Sequence, residues 1–275
     1  MTYRAVMAAL SPGRNCQGVA GAAIALARQF DAMLLARAYC RPIHCICGDY
    51  SVPAALFQED RRQIERHLKA SEADFRAIVV KNDHTGDWQG ESSTEPLSER
   101  LARESAAADI VVAGVPKVGE MPDATRQPDL CDLVMQAGRP VMLVPESSRT
   151  AKFERILVAW KDTREARRAV RDALPLLARA GNVLVVEIHA TDAHAAAWQS
   201  VARVSRWLAR HGIAAEEKVV AAEMANASQL SGLARTYEAD VIVAGAYGHN
   251  RQGHWALGGI TSELLSGGRC VLLSH

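Results

Sequence analysis

A glycine-rich polar loop in the last quarter of the chain offers the clearest chemistry in the sequence. It begins at Gly245, directly after an apolar run typical of a buried strand, and it ends where Gly258 and Gly259 open a predicted helix. Glycines let backbone amides approach a phosphate closely, and the first turn of a helix adds unpaired N–H donors and a favourable dipole. The pattern predicts a site for a phosphate-bearing ligand. The alternative is that the glycines serve tight turns and that the charged residues of the loop are solvated.

Catalytic groups are hard to find beside this loop. His249 and His254 are the nearby acid–base candidates, and no other pair has the placement of a nucleophile with its base. The chain contains no G-x-S-x-G, no G-x4-G-K-[ST] and no G-x-G-x-x-G sequence. We therefore assign no catalytic residue, and a binding protein is favoured over an enzyme.

A cluster of thiols and an imidazole resembles a metal site at first sight: Cys40, His44, Cys45 and Cys47. Structural zinc takes two ligand pairs at characteristic spacing, whereas this C-x-C has no distant partner pair. We expect buried thiols at a strand end and no metal. A second cluster, four arginines on one face of a predicted helix, is interpreted as a solvated face because two acids accompany it. The arginines are Arg164, Arg167, Arg168 and Arg171, and the acids are Glu165 and Asp172.

Composition excludes several classes of protein. The 275 residues carry a net charge of +1, which gives no electrostatic reason to expect nucleic acid or an anionic membrane as partner. The short apolar run Ala5 to Leu10 predicts a first strand and not a secretory signal. The longest run of apolar and small residues, 18–27, is too short to cross a bilayer. With six cysteines and no signal peptide, we expect reduced thiols and a cytoplasmic location.

The elements that must position the loop occur twice in the chain. Several segments recur in the same order, and their numbering difference falls steadily, as expected of two copies of which the first carries insertions. The matched segments are 26–28 with 177–179, Leu68 with Leu208, 79–80 with 219–220, 108–114 with 239–245, and 138–139 with 268–269. We expect about 11 extra residues near 40–53 and about 9 near 81–94.

The second copy predicts strands that alternate with helices. Its strands are expected at 156–160, 183–188, 217–220, 240–245 and 270–273, and its helices at 193–210 and 228–237, with a further helix after Asp162 as N-cap and another around 261–265. This alternation predicts a parallel sheet with helices on both faces. The fifth strands of the two copies, 141–144 and 271–273, are apolar, and pairing with each other would protect their edges.

The loop spacing resembles that of universal stress proteins. Gly245, Gly248 and Gly258 stand at the family spacing of glycine, two residues, glycine, nine residues, glycine. The resemblance implies two flavodoxin-like, doubly wound five-stranded parallel sheets of the adenine-nucleotide alpha-hydrolase type, paired through their fifth strands. It implies a degenerate domain at 1–147 and a domain with the glycine loop at 153–275. In ATP-binding members this loop holds the nucleotide, which implicates Gly245, Gly248, His249, Gly258, Gly259, Ile260 and Thr261 as cofactor-binding residues.

Two departures weaken the expected ATP site. Gly259 stands where the family has a hydroxyl residue, and Lys161 stands where ATP-binding members have an aspartate, with Asp162 one step on. Losing two polar anchors lowers affinity about ten- to a thousandfold. In the first copy no second glycine follows Gly114 at the right distance and Pro116 removes an amide donor, so we expect no nucleotide there.

Three functions remain open from the sequence. The first is a cytoplasmic stress-response module that binds ATP in its second half and changes its binding to a protein partner. The second is a slow ATP-hydrolysing or adenylyl-transferring enzyme. The third is a partner-binding or scaffold protein without nucleotide, which Gly259 and Lys161 favour. Whether two chains associate further is left open.

Overall fold

The structure is a computed structural model that describes residues 2–47, 53–116, 120–121, 123–145, 152–190, 193–223, 226–246 and 269–275. Backbone contacts divide the chain into two compact units. One is formed by residues 3–139 and 144–150, and the other by residues 151–275 with 1–2 and 140–143. The predicted boundary between the two copies, at 147–153, falls mostly on residues outside the described part of the chain. Within the described ranges, no helix has both the length and the apolarity needed to cross a membrane.

The first half alternates strands with helices. Its elements are β1 (Ala5–Leu10), α1 (Gln17–Phe30), β2 (Met33–Cys40), α2 (His44–Cys47), α3 (Ala54–Lys81), β3 (Asp87–Ser92), α4 (Leu97–Glu104), β4 (Ile110–Val115), α5 (Leu130–Gln136) and β5 (Val141–Pro145). The first four strands lie in the order β3-β2-β1-β4, and their pairings are parallel. Strand β1 is apolar and buried because it is central, as its sequence predicts.

The second half repeats this plan. Its elements are β6 (Arg155–Ala159), α6 (Arg164–Asp172), α7 (Leu174–Leu177), β7 (Asn182–His189), α8 (His194–Arg210), β8 (Glu216–Ala221), α9 (Asn226–Thr236), β9 (Val241–Gly245) and β10 (Cys270–Ser274). The strands lie in the order β10-β9-β6-β7-β8 with parallel pairings. After β6 the chain forms β7 on one side of β6, and it later forms β9 on the other side of β6. This reversal of strand order confirms the predicted doubly wound α/β fold.

One contact occurs identically in both halves and supports the duplication. The carboxylate of Asp109, just before β4, accepts hydrogen bonds from the amides of Arg4 (2.6 Å) and Ala5 (3.0 Å) at the start of β1. In the second half, Asp240 accepts from the amides of Glu154 (3.1 Å) and Arg155 (2.9 Å) at the start of β6. The repeated segments 108–114 and 239–245 therefore share their local chemistry as well as their sequence.

One sequence match between the copies was wrong. The pair Val79-Val80 lies in α3 and not in a strand, whereas its supposed counterpart, 219–220, lies in β8. The third strand of the first half is instead the polar segment Asp87–Ser92, which pairs with β2 as β8 pairs with β7. Leu35 pairs with Asp87 in the first half, and Leu184 pairs with Glu216 at the equivalent place in the second. The first of these two stretches is the longer one, so the extra length of the first half lies wholly between β2 and β3.

The expected pairing of the fifth strands is confirmed. Strand β10 pairs antiparallel with residues 141–143 of β5, and Leu272 stands opposite Met142. On either side, Val271 pairs with Leu143 and Leu273 with Val141. Because 141–143 and 271–273 are equivalent positions of the two copies, the register is symmetric about the Met142–Leu272 pair.

Helix α6 begins one residue later than predicted. Thr163 is its N-cap, since its Oγ1 accepts a hydrogen bond from the amide of Ala166 at 3.2 Å. The carboxylate of Asp162, the predicted cap, instead faces the guanidinium groups of Arg167 and Arg203. The helix ends at Asp172, and a separate turn, α7, follows with Pro175 in its first turn.

Candidate functional site

The candidate site lies at the carboxyl ends of β6 and β9, where the strand order of the second half reverses. Ligands of open α/β sheets bind in the crevice outside the carboxyl ends of the strands at such a point. Gly245 is the last residue of β9, and its neighbour Ala244 pairs with Ala159, the last residue of β6. The structure thus brings the start of the predicted glycine loop to the edge of the sheet where a ligand is expected.

Gly245 has a packing role of its own. A methyl group at its Cα would stand 2.5 Å from the amide nitrogen of Ala166 and 2.6 Å from the carbonyl carbon of Glu165. Both atoms belong to the backbone of the first turn of α6, which cannot yield as a flexible side chain does. Close approach of a helix to the strand therefore accounts for glycine at 245. The other predicted binding residues, Gly248, His249, Gly258, Gly259, Ile260 and Thr261, lie outside the described residues.

The turn after β6 carries the charges that face this edge. Lys161 is exposed, and Asp162 lies 3.5 Å from Arg167 Nε and 3.3 Å from Arg203 Nη2. In the first turn of α6, hydrogen bonds from its own backbone amide and from the Thr163 hydroxyl lower the pKa of Glu165. This end of the helix is thus occupied by its own carboxylate, as in a capping arrangement.

A buried acid near the end of β7 was not predicted from the sequence. Burial raises the pKa of Glu187, although a hydrogen bond from Ser200 of α8 opposes the change. The indole nitrogen of Trp160, directly after β6, donates to the same Ser200 hydroxyl at 2.9 Å. The carboxyl oxygen Oε2 of Glu187 is buried and has no hydrogen-bond partner among the described residues. An acid with a raised pKa beside a crevice is a candidate for ligand recognition or proton transfer.

A directed chain of hydrogen bonds joins β7 to α8 beside this acid. Trp198 Nε1 donates to His194 Nε2 at 2.9 Å, and His194 Nδ1 lies 3.0 Å from His189 Nε2. At the other end, His189 Nδ1 lies 2.5 Å from the carbonyl oxygen of Ala190. An indole only donates and a carbonyl only accepts, so each imidazole carries its single proton on Nδ1.

The corresponding edge of the first half is covered by its own chain. Residues 123–127, which follow β4, extend towards the end of β2, where the amide of Arg41 donates to the carbonyl of Thr125 at 2.8 Å. Arg126 is 6% exposed, and its guanidinium lies 3.3 Å from Asp60 and 3.4 Å from His67 Nδ1 of α3. Burial and then the charge of Arg126 lower the pKa of His67.

A small open cleft remains between the ends of β1 and β4. Its wall includes Cys16, Gly114 and Gln127. Arg14, also in this wall, forms two 2.6 Å hydrogen bonds with the carboxylate of Glu120, which links the loops after β1 and β4. The guanidinium in the cleft is thus neutralised by a carboxylate, which is unfavourable for an added phosphate.

We expect Arg126→Ala to open this cover. The change leaves Asp60 without its buried cation, and the covering segment should lose about 2 kcal/mol of local stability. Beneath it, burial raises the pKa of the Cys40 thiol to about 11, and Cys40 is fully buried. The measurement is alkylation of Cys40, followed by mass spectrometry, with half-buried Cys45 as internal reference. Labelling should accelerate about thirtyfold.

A control for this experiment is Arg103→Ala. It removes an ion pair with Glu95 whose side chains are both exposed, so Cys40 labelling should stay as in the unchanged protein. Equal labelling of Cys40 in the two variants would contradict the assigned role of Arg126.

The cysteines at 16, 40 and 45 are free thiols. Across the described ranges, no group of three or more His, Cys, Asp or Glu side chains is placed to hold a metal ion. Among the described polar groups at the edge of the second half, the unpartnered Oε2 of Glu187 and the exposed ammonium of Lys161 are suited to hydrogen bonding with a polar ligand.

Solved structures with this fold include universal stress proteins. One from Archaeoglobus fulgidus DSM 4304 has a TM-score of 0.69 at 13% identity, over 98% of this chain and 95% of that one. A putative one from Pseudomonas aeruginosa UCBPP-PA14 has a TM-score of 0.63 at 14% identity, over 99% and 93%. A functionally unknown protein from Pseudomonas aeruginosa PAO1 has a TM-score of 0.57 at 14% identity, over 99% and 92%.

These likenesses extend along the whole chain and establish its fold. The chain has the two-copy α/β fold that these universal stress proteins share, which confirms the resemblance at the level of structure. No protein-family model and no curated protein matches the sequence.

Proposed function

We propose that this protein is a tandem universal stress protein of the cytoplasm that binds ATP in its second half and changes its contact with a protein partner under stress. The observation that carries the proposal is the spacing of Gly245, Gly248 and Gly258 after β9. In this fold, the loop leaves the sheet at the point where strand order reverses, and a glycine-rich loop before a helix suits a phosphate. The fold shared with universal stress proteins agrees with the family resemblance of this glycine spacing.

The two halves have different roles in this proposal. In the first half, the segment around Arg126 covers the end of β2, and Glu120 neutralises Arg14 in the remaining cleft. We therefore assign one nucleotide to each chain, in the second half, with domains at 1–147 and 153–275. Around the glycine loop, the residues assigned to the nucleotide remain Gly245, Gly248, His249, Gly258, Gly259, Ile260 and Thr261.

The test begins with the purified protein. Denaturation followed by mass spectrometry identifies any small molecule that is carried through purification, and ATP is then titrated into the stripped protein by calorimetry. We expect saturable binding of one ATP per chain, which is lost in Gly248→Val because a branched side chain blocks the approach of a phosphate to the backbone. Gly232→Ala is the matched control, since a methyl group there meets nothing within 4 Å.

A second candidate is a partner-binding protein without nucleotide. It is favoured by Asp162, whose carboxylate faces Arg167 and Arg203 and is thereby occupied with cations of the protein itself. Absence of binding at millimolar ATP would contradict the proposed ATP site and would favour this partner-binding candidate. Phosphate release that is lost in His249→Ala would instead support an ATP-hydrolysing enzyme.

A further inference from the structure

One outer face of the second half carries seven exposed arginines, called here the arginine face. Helix α6 contributes Arg164, Arg167, Arg168 and Arg171. Helix α8 contributes Arg203, Arg206 and Arg210. Each of these arginines has another one three or four residues away in the same helix, so each set forms a row along one side of its helix.

The two rows are neighbours. Asp162, just before α6, lies 3.5 Å from Arg167 Nε of one row and 3.3 Å from Arg203 Nη2 of the other. A single carboxylate therefore lies between the helices at one end of the face. Each row spans eight residues, about 10 Å along the helix axis.

The carboxylates of the face do not balance its charge. Asp162, Glu165 and Asp172 are placed against seven arginines, and α8 itself contains neither aspartate nor glutamate. The ion pairs are long, at 3.3–3.7 Å, and the arginine side chains in them stay 47–76% exposed. Pairs of this kind contribute little and exchange readily for better partners.

The fold itself does not require this charge. Helix α1, the counterpart of α6, has Arg28 as its single charged residue. Helix α3, the counterpart of α8, mixes acids with bases along its length and holds exposed pairs such as Arg61–Glu65 and Arg66–Glu59. The whole chain has a net charge of only +1, so the arginines are concentrated on this face against the average of the molecule.

We propose that the arginine face binds an acidic helical segment of a partner protein. Glutamates and aspartates at three- and four-residue steps on such a helix match the two rows, and the planar guanidinium pairs with carboxylates through two parallel hydrogen bonds. A nucleic acid fits less well, because its continuous row of phosphates must meet Asp162, Glu165 and Asp172, whereas a helix can place uncharged residues opposite these carboxylates. This inference rests on the partner-binding role proposed above and is independent of ATP.

The experiment measures fluorescence anisotropy with a labelled peptide helix that carries glutamates at three- and four-residue steps. The full-length protein should bind it, and binding should weaken as salt rises. The variant Arg203→Glu/Arg206→Glu/Arg210→Glu should bind about tenfold or more weakly. Arginine and glutamate are both good helix formers, so α8 is expected to persist, and circular dichroism checks this.

The control is Arg61→Glu/Arg62→Glu/Arg66→Glu on α3, which changes the net charge of the protein by the same amount. Loss of peptide binding in the α8 variant alone supports the proposal. Equal loss in both variants, or no binding to the unchanged protein, overturns it, and tighter binding to a single-stranded RNA of matched charge assigns the face to nucleic acid instead. ATP titration of the same samples is read separately, so failure of the nucleotide site is distinguishable from failure of this surface.

Discussion

Gly245→Ala is expected to destabilise the second half by about 3 kcal/mol or more, because the added methyl group meets backbone on α6. Its Cβ would stand at 2.5 and 2.6 Å from backbone atoms of Ala166 and Glu165. Overpacking in a dense interior commonly costs about 1–3 kcal/mol, and the cost is highest where no side chain can rotate away. Urea unfolding followed by hydrogen exchange of β6 and β9 measures the loss and its location.

The chain supplies its own comparison series for this change. At Gly114, the equivalent position of the first half, a methyl group would meet only Val19 Cγ2, at 2.9 Å, so Gly114→Ala should cost about 1 kcal/mol. At Gly232, inside α9, nothing lies within 4 Å, and alanine there should stabilise by about 0.5–1 kcal/mol. Similar effects at Gly245 and Gly114 would show that α6 can move away from β9 at little cost.

Glycine at position 245 can be required for two different reasons, close packing of α6 against β9 or close approach of a phosphate to the backbone. Loss of ATP binding in Gly245→Ala would follow from displacement of α6 alone and would say nothing about contact with a phosphate. Gly248→Val is therefore the sharper test of the nucleotide, whereas Gly245→Ala tests how tightly helix and strand approach each other.

Asp240→Ala should destabilise the second half by about 3 kcal/mol. The carboxylate holds two backbone amides at the start of β6, at 3.1 and 2.9 Å, and each hydrogen bond to a charged group contributes about 1.5–3 kcal/mol. The amide of Arg155 is half-buried, so it loses a partner that water replaces poorly. Asp109→Ala should have a similar effect on the first half, since Asp109 makes the same contact with β1.

Hydrogen exchange on the paired strands resolves the two effects. Asp240→Ala should raise exchange in β6 and β9, and Asp109→Ala in β1 and β4. Asp240→Asn keeps one acceptor oxygen without the charge and should recover about half of the loss. Asp74→Ala, at an exposed position of α3, is a control expected to change stability by less than about 0.5 kcal/mol. An Asp240→Ala protein as stable as this control would contradict the assigned role.

The apolar strands could be predicted because burial on both faces leaves a continuous signature. Strands β7, β9 and β10 were expected within about two residues of their observed ends. Strand β3 was missed because it lies at the sheet edge and is polar. The sequence comparison matched the nearby Val79-Val80 to a strand of the second half instead, but this pair lies in a helix. Valine favours strands, but a helix can bury it equally well, and here tertiary packing places the two valines in a helix. The start of α6 shifted because Asp162 pairs with arginines, one of them on α8.

The candidate site was predictable only in part. The glycine spacing located it on the chain, and the strand order places Gly245 at the expected edge. Glu187 carried a usable signal, an acid inside an otherwise apolar strand, but its partner Ser200 lies on the next helix. The chain from Trp198 through the two histidines and the cover around Arg126 depend on contacts between distant residues, which spacing alone does not reveal.

The symmetric register between β5 and β10 has a consequence for how the duplication arose. A single ancestral unit with this strand could pair with a second copy of itself about a two-fold axis through one central residue, as homodimers do. Two separate chains associate to a degree that depends on their concentration. When the two copies are fused in one chain, they stay tethered and pair at any concentration. The two tethered copies differ today: the segment around Arg126 covers the end of β2 in the first, and the arginine face is carried by the second alone.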